Sequence, residues 1–236
     1  MPTLFVDENV IINSSNSTRG TATYLGDGWL LSARHVIQDG SNYGALASPS
    51  QITYTVDVGG VSQTYTADTL STPDGSSDIS LIHLAGTSSG PIATLPGVLA
   101  SQIYTGSSEA GSLVQIGGYG YWGALGSTLS TSATFHRAFN IAYLSGGFVD
   151  ISANASAELV NNGYVMGIAE SGDSGGGMWM DDGPASDTNL WDYSLIGETT
   201  TSNGSAFGDT NQYGRVSNYA TSWILPTAYA GHATVT

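Results

Sequence analysis

The amino-acid sequence predicts an all-β protein. Short runs rich in β-branched and aromatic residues recur along the chain with turn residues between them. Glycine is abundant, with 32 in 236 residues, and Ser and Thr are plentiful. Both compositions disfavour helix: Ser and Thr compete for backbone hydrogen bonds, and Gly costs up to about 1 kcal/mol per helix position. Charged residues are only 10%, fewer than the polar faces of long surface helices need.

Taken in order, the strand-like runs in the first part of the chain are 21–25, 29–33, 52–58, 61–67 and 79–84. Gly59-Gly60 reads as a hairpin turn, because two glycines supply positive φ at little cost. The second half adds 112–116, 134–144, 147–151, 163–168, 176–180, 193–199 and 213–216. Regular spacing with turns between points to a barrel or a sandwich. One short helix is expected over 217–224, and a helical turn after His35. Residues 86–111 are loop-rich without a clear period, where a boundary between two β-domains would fall. A chain of this length removes roughly 70% of its unfolded surface on folding.

Charge excludes several functions. There is no lysine, the four basic residues are Arg19, Arg34, Arg137 and Arg215, and the net charge is -15. Nucleic acid requires a cationic surface to displace phosphate counterions, and an anionic membrane surface requires the same. An acidic surface instead favours solubility and cationic substrates. Without cysteine, neither disulfides nor thiolate metal sites are possible. No run of 18 apolar residues marks a membrane span. The start, MPTLFVDENV, lacks the basic and apolar regions of a secretion leader.

Three local patterns carry chemistry. In Gly172-Asp173-Ser174-Gly175-Gly176, glycines flank a serine, permitting a tight turn with an exposed hydroxyl and converging N–H groups. In Leu30-Leu31-Ser32-Ala33-Arg34-His35, an apolar strand delivers a histidine, the side chain that titrates nearest neutral pH. In Asp78-Ile79-Ser80-Leu81, an aspartate precedes an apolar strand and can accept from an imidazole N–H. Each alone has a plain alternative: a Gly-rich turn, a strand-end histidine, a strand-capping aspartate.

Together, in the order His, Asp, Ser, they resemble the trypsin/chymotrypsin family of serine proteases; that order differs from those of the subtilisin-like and α/β-hydrolase enzymes. Gly118-Tyr119-Gly120 and Tyr213-Gly214-Arg215-Val216-Ser217, followed by Tyr219 and Trp223-Ile224, are similar to further segments of the family. The resemblance covers about residues 18–226. It implies two six-stranded antiparallel β-barrels with a short C-terminal helix. Residues 1–105 would carry His35 and Asp78, and residues 106–236 would carry Ser174, within one peptidase unit. It further implies Ser174 as nucleophile, His35 as general base, Asp78 as its orienting group, and an oxyanion hole from the N–H groups of Gly172 and Ser174. Substrate-binding positions are Ile168 at the pocket floor, Ser171, Thr200 and Thr201. Ile168 stands where an acid would select Lys or Arg, so apolar or medium side chains are expected; an alignment shifted by two residues would instead bring Glu170, or Asp209 of a late loop, into the pocket. No metal or organic cofactor is implied. The expected partner is a protein or peptide, the expected state a secreted or cell-surface monomer.

The chain departs from the family in places. Arg34 stands beside the histidine and is expected to point away from the site. Gly177 replaces a proline. No activation-cleavage sequence is evident, although Val10-Ile11-Ile12-Asn13 faintly resembles one, so Asp173 needs a partner from an ammonium, an arginine or backbone donors. His83 and His136 are read as structural, and Trp29, Trp179 and Trp223 as core. Trp122 is a candidate for the substrate groove. Asp181, Asp182 and Asp187 are read as a solvated loop rather than a calcium site. The competing class is a catalytically silent binding or adhesion domain of the same fold.

Overall fold

The computed structural model describes residues 9–14, 19–38, 45–58, 61–85, 101–124, 128–130, 135–153, 165–181, 193–202, 204 and 209–229. Six strands, β1 (Asn9–Ser14), β2 (Arg19–Gly26), β3 (Trp29–Ser32), β4 (Ile52–Val58), β5 (Val61–Ser71) and β6 (Ser80–Leu84), close into an antiparallel barrel. The order around it is β1-β2-β3-β6-β5-β4, with β4 pairing back onto β1. Closure leaves no free sheet edge. β4 and β5 pair to Val58↔Val61, as the hairpin reading requires; residues 59–60 lie outside the described residues. β1 lies outside the strand-like runs of the sequence. Residues 10–13, the cleavage-like sequence, lie inside it, paired to β2 on one side and β4 on the other.

The second unit contains β7 (Gln102–Ile103), β8 (Leu113–Gly118), β9 (His136–Ile141), β10 (Tyr143–Ser145), β11 (Phe148–Ser152), β12 (Gly177–Asp181), β13 (Tyr193–Ser202) and β14 (Thr210–Arg215). Its order is β10-β11-β14-β13-β12-β8-β9, with β7 added in parallel to β13. The predicted strand 134–144 is one ribbon broken at Ala142, so β9 pairs with β8 while its continuation β10 pairs with β11. That ribbon curls the sheet round on itself. Eight strands rather than six result from this break and from the short β7. The all-β expectation with two curled antiparallel sheets holds.

Predicted strand 163–168 differs. Among the described residues it contributes one bridge, Phe139↔Met166, and then runs as a strap. Side-chain amides take the place of a ladder: Asn140 donates to Gly167 O at 2.9 Å, and Asn211 both accepts from Ala169 N (2.6 Å) and donates to Ala169 O (3.1 Å). The helix at 217–224 also differs. It is a 3-10 turn (Val216–Asn218), a π turn (Ala220–Ile224) and a short helix α1 (Leu225–Ala228). Pro226 has no N–H for the carbonyl of Ser222 and its ring crowds that oxygen. The turn before it widens, and Ile224 N reaches back to Tyr219 O at 2.9 Å.

Three apolar clusters explain the continuous apolar runs. Leu30, Ile82 and Leu84 fill the first barrel; Met178, Met180, Ile196 and Tyr213 fill the second; Leu31, Ile79, Leu81, Trp179 and Leu195 lie between them. Adjacent residues of β3, β6, β12 and β13 therefore point into different cores. Trp179 is fully buried with its indole N–H on Ser101 Oγ at 3.1 Å. Trp29 and Trp223 are half-buried against the same cluster. Val216, Ile224 and Ala228 join it, so the last turns cover the junction. They are tied down by Trp223 Nε1 to Ser71 Oγ (3.1 Å) and by Tyr229 to Leu25 O (2.5 Å). Arg215 makes two 2.8 Å bonds to the fully buried Glu109. Burial alone would raise the Glu109 carboxyl; Arg215 and the Ser217 hydroxyl hold it below its ordinary value.

Candidate active site

The site lies where the two units meet. β3 ends at Ser32, and the extended backbone of Ala33 passes into the 3-10 turn Arg34–Val36 that carries His35. Asp78 receives that turn twice: His35 N donates to Oδ1 at 2.8 Å, and His35 Nδ1 lies 2.8 Å from Oδ2. A carboxylate can only accept, so the proton sits on Nδ1 and the Nε2 lone pair is free. The Asp78 side chain is 6% exposed and that of His35 31%, which keeps the carboxylate dry and the imidazole reachable.

The loop before Asp78 is stiffened by Asp74. Its Oδ1 accepts from Ser76 N (2.7 Å) and Ser77 N (2.6 Å), and its Oδ2 from Ser77 Oγ (2.7 Å). The Ser77 hydroxyl and these amides hold the Asp74 carboxyl far below the usual range. Ser77 Oγ also meets Tyr219 OH at 2.9 Å, linking the loop to the last turns of the chain. Arg34 is buried, with Nη1 on Asp74 O at 3.3 Å.

Ser174 lies in the turn over 171–175 that feeds β12. Gly172 (φ 97) and Gly175 (φ 83) occupy the left-handed region on either side of it, as glycines readily do. Gly175 lies hard against Ser32 Oγ, Thr21 O and Ala33 N, two residues from His35. Tyr121 N donates to Ser171 O at 2.9 Å. In a trans peptide the N–H opposes the C=O, so Gly172 N–H faces the other way. Among the described residues neither Gly172 N nor Ser174 N donates to a protein acceptor.

Thr21, on β2, joins the two halves. Its N–H donates to Ser174 O at 2.8 Å, its hydroxyl donates to Gly172 O at 3.1 Å, and it accepts from Tyr119 N at 3.1 Å. In the sequence Thr21 belongs to the strand-like run 21–25, and no local signal distinguishes it from other strand threonines. Thr21→Val should leave the Gly172 carbonyl and the Tyr119 N–H without this partner and cost about 1–3 kcal/mol of positioning. The expected result is a ten- to hundred-fold slower acylation of Ser174 in a labelling assay, rescued by Thr21→Ser.

Asp173 finds backbone donors. Gly120 N donates to Oδ1 at 2.7 Å and Glu170 N to Oδ2 at 2.8 Å. Burial pushes its carboxyl up to about 6, the two amides opposing that rise and Glu170 adding to it. Gly118 and Gly120 both lie against this carboxylate, leaving no space for a Cβ, which accounts for Gly-Tyr-Gly in the sequence. Gly177 is likewise required: a Cβ would lie 2.5 Å from the Trp179 ring.

The expected substrate-binding residues are dispersed. Ile168 lines a cavity of about 220 Å³ with Trp122, His136, Glu170 and Tyr213. Thr200 and Thr201 line another of about 330 Å³ with Asp78 and Tyr219. Ser171 is exposed and lines neither. The Asn211 amide, clamped on Ala169, lies between the strap and β14. Trp122 is 44% exposed and stacks on His136 at 4.5 Å. His83 bonds Asp68 at 2.8 Å and packs on Trp29 at 4.9 Å. Of the acidic loop, Asp182 and Asp187 lie outside the described residues; among those described, no three His, Asp or Glu side chains cluster for a metal. No helix among them is long and apolar enough to cross a membrane.

Two curled antiparallel sheets, with the glycine-flanked Ser174 turn packed against the end of the strand that leads to the carboxylate-held His35, define a class, the chymotrypsin-like serine proteases. Residues 9–224 match the trypsin family model. The chain belongs to the trypsin family. A search of curated proteins finds no match.

Proposed function

We propose that this protein is an active serine endopeptidase working through Ser174, His35 and Asp78. The observation that carries this reading is the double hold of Asp78 on His35, 2.8 Å at both the backbone and the ring. It leaves Nε2 as the base, on a turn packed beside the Ser174 turn. Ser174 Oγ attacks the peptide carbonyl carbon as His35 Nε2 takes its proton. The carbonyl oxygen becomes negative against the N–H groups of Gly172 and Ser174. The C–N bond breaks, the amine leaves with the proton from His35, and an acyl ester remains on Ser174. Water, deprotonated by the same nitrogen, attacks the ester and releases the acid. Asp78 remains ionised and stabilises the imidazolium in each half.

Export from the cell and action on outside proteins suit this class and the acidic surface. Ile168 supports cleavage after apolar or medium side chains, read with a peptide library; cleavage after Lys or Arg would instead assign the pocket to Glu170. The test of the activity is a fluorophosphonate probe applied to the wild type and to Ser174→Ala. Labelling of the wild type alone is expected. Equal labelling of both would remove Ser174 from its role, and labelling of neither would favour the silent binding domain.

A further inference from the structure

β13 carries a carboxyl that the reaction above does not use. Glu198 is fully buried, and among the described residues neither Oε1 nor Oε2 has a hydrogen-bond partner. A bulge aims it. The β12–β13 register shifts between Met178 and Trp179, so Trp179 pairs with Leu195, Met178 with Gly197 and Gly177 with Glu198. The extra residue, Ile196, turns Glu198 to the face opposite the second core. On its other side Glu198 pairs with Gly214, where a Cβ would lie 2.5 Å from Oε1. Two glycines therefore flank the carboxyl across the sheet and leave it a slot. Gly214 also lines the cavity of about 330 Å³ that reaches Asp78.

The charges around this slot are acidic. Asp78 faces it from the loop before β6, and the buried Tyr213 hydroxyl on β14 feels its charge. β12 presents only Gly177 at that register, and the cation on β14, Arg215, is committed to Glu109. An unpaired carboxylate in such a place is unfavourable, and the neutral acid is the form it accepts. Burial first, then the charge of Asp78, hold the Glu198 carboxyl well above its ordinary value. The next residue, Thr199, binds the nucleophile turn three times: Gly175 N to Thr199 O at 2.8 Å, Thr199 N to Gly176 O at 2.9 Å, and Thr199 Oγ1 to the same oxygen at 3.0 Å.

We propose that Glu198 is a positioning residue, an uncharged acid packed beside Asp78 that keeps Thr199 against the Ser174 turn and releases that turn when it ionises. An ionised side chain is drawn to water in the cavity past Gly214, and β13 shifts with it. The inference rests on the reading of Ser174 as the nucleophile. Its test compares wild type with Glu198→Gln, which keeps shape and neutrality, by fluorophosphonate labelling rate and denaturant unfolding from about pH 5 to about pH 10. The native protein retains a proton that the unfolded chain loses near the ordinary Glu value. Relative to Glu198→Gln, the wild-type unfolding constant therefore rises about tenfold per pH unit until Glu198 ionises in the fold. Asp173 titrates in both proteins and cancels.

The labelling rate of the wild type should fall at least tenfold on the alkaline side while Glu198→Gln keeps its plateau. Parallel unfolding and labelling curves, with Ser174 labelled in both, would overturn the role of Glu198 alone. Absence of wild-type labelling at every pH would overturn the nucleophile and the positioning role with it. If Glu198→Gln does not fold, Gly214→Ala answers the geometry. It should slow labelling in the wild type and be milder in a Glu198→Ala background; equal effects in the two backgrounds overturn the slot.

Discussion

Asp78→Asn should lower kcat for peptide hydrolysis by about 10⁴, the scale that loss of the correct histidine tautomer carries in this chemistry. Asp78 has two oxygens and uses both, one on His35 N and one on Nδ1. An asparagine has one acceptor and one donor. If its oxygen keeps the backbone N–H, its amide nitrogen faces Nδ1, which must then accept. The ring proton moves to Nε2, the nitrogen that has to receive the proton of Ser174. If the amide is reversed, the backbone N–H of His35 faces a donor and the turn Arg34–Val36 is pushed from its place. Asp78 is nearly dry, so water does not rescue either arrangement. The measurement is kcat and the fluorophosphonate labelling rate at neutral pH, with circular dichroism to verify the fold. A loss of less than tenfold would mean that Asp78 is only a cap on the turn.

The second large effect is expected at Gly175. Its φ of 83 lies where an L residue is disfavoured by roughly 1–2 kcal/mol. Open space would limit Gly175→Ala to that cost. Here the added methyl instead meets Ser32 Oγ and Thr21 O, which are hydrogen-bonded to each other, and the backbone N of Ala33. None is the free end of a flexible chain. The Ser174 turn has to lift away from β2, breaking Thr21 N to Ser174 O. A displacement of about 1 Å at a reacting atom costs on the order of 10²-fold in rate. Acylation should slow by at least that factor, and the unfolding midpoint should fall. Gly75→Ala is the control, since nothing stands within 4 Å of a Cβ there. Equal behaviour of the two would dismiss the steric account.

These two positions also mark what could be read before folding. The Gly-Asp-Ser-Gly-Gly sequence announces a turn with positive φ on both sides of the serine, and the structure has it. The apolar runs of β3, β6, β12 and β13 announce strands, and in the fold their alternating residues enter different cores. Such signals are local, a period of two or a glycine where only glycine is comfortable. What stayed hidden depends on distant partners. Thr21 is one of many strand threonines until the second unit lays its turn against it. The strap over 165–170 has strand-like residues, yet its backbone is taken by the amides of Asn140 and Asn211. β1 reads as a cleavage-like sequence, and only barrel closure gives it two neighbours. The aim of Glu198 depends on a single extra residue, Ile196, whose effect is visible only once the register with β12 is known.

The turns over 216–229 cover the junction between the units and bond back to Ser71, Ser77 and Leu25 of the first unit. This order of assembly has a consequence for a newly made chain. The strands bearing His35 and Asp78 emerge from the ribosome long before the segment that seals them to the strands bearing Ser174. Until that segment arrives, the part of the junction that Val216, Ile224 and Ala228 cover in the finished fold is open to water. The junction that carries the candidate site is thereby sealed only at a late stage of synthesis.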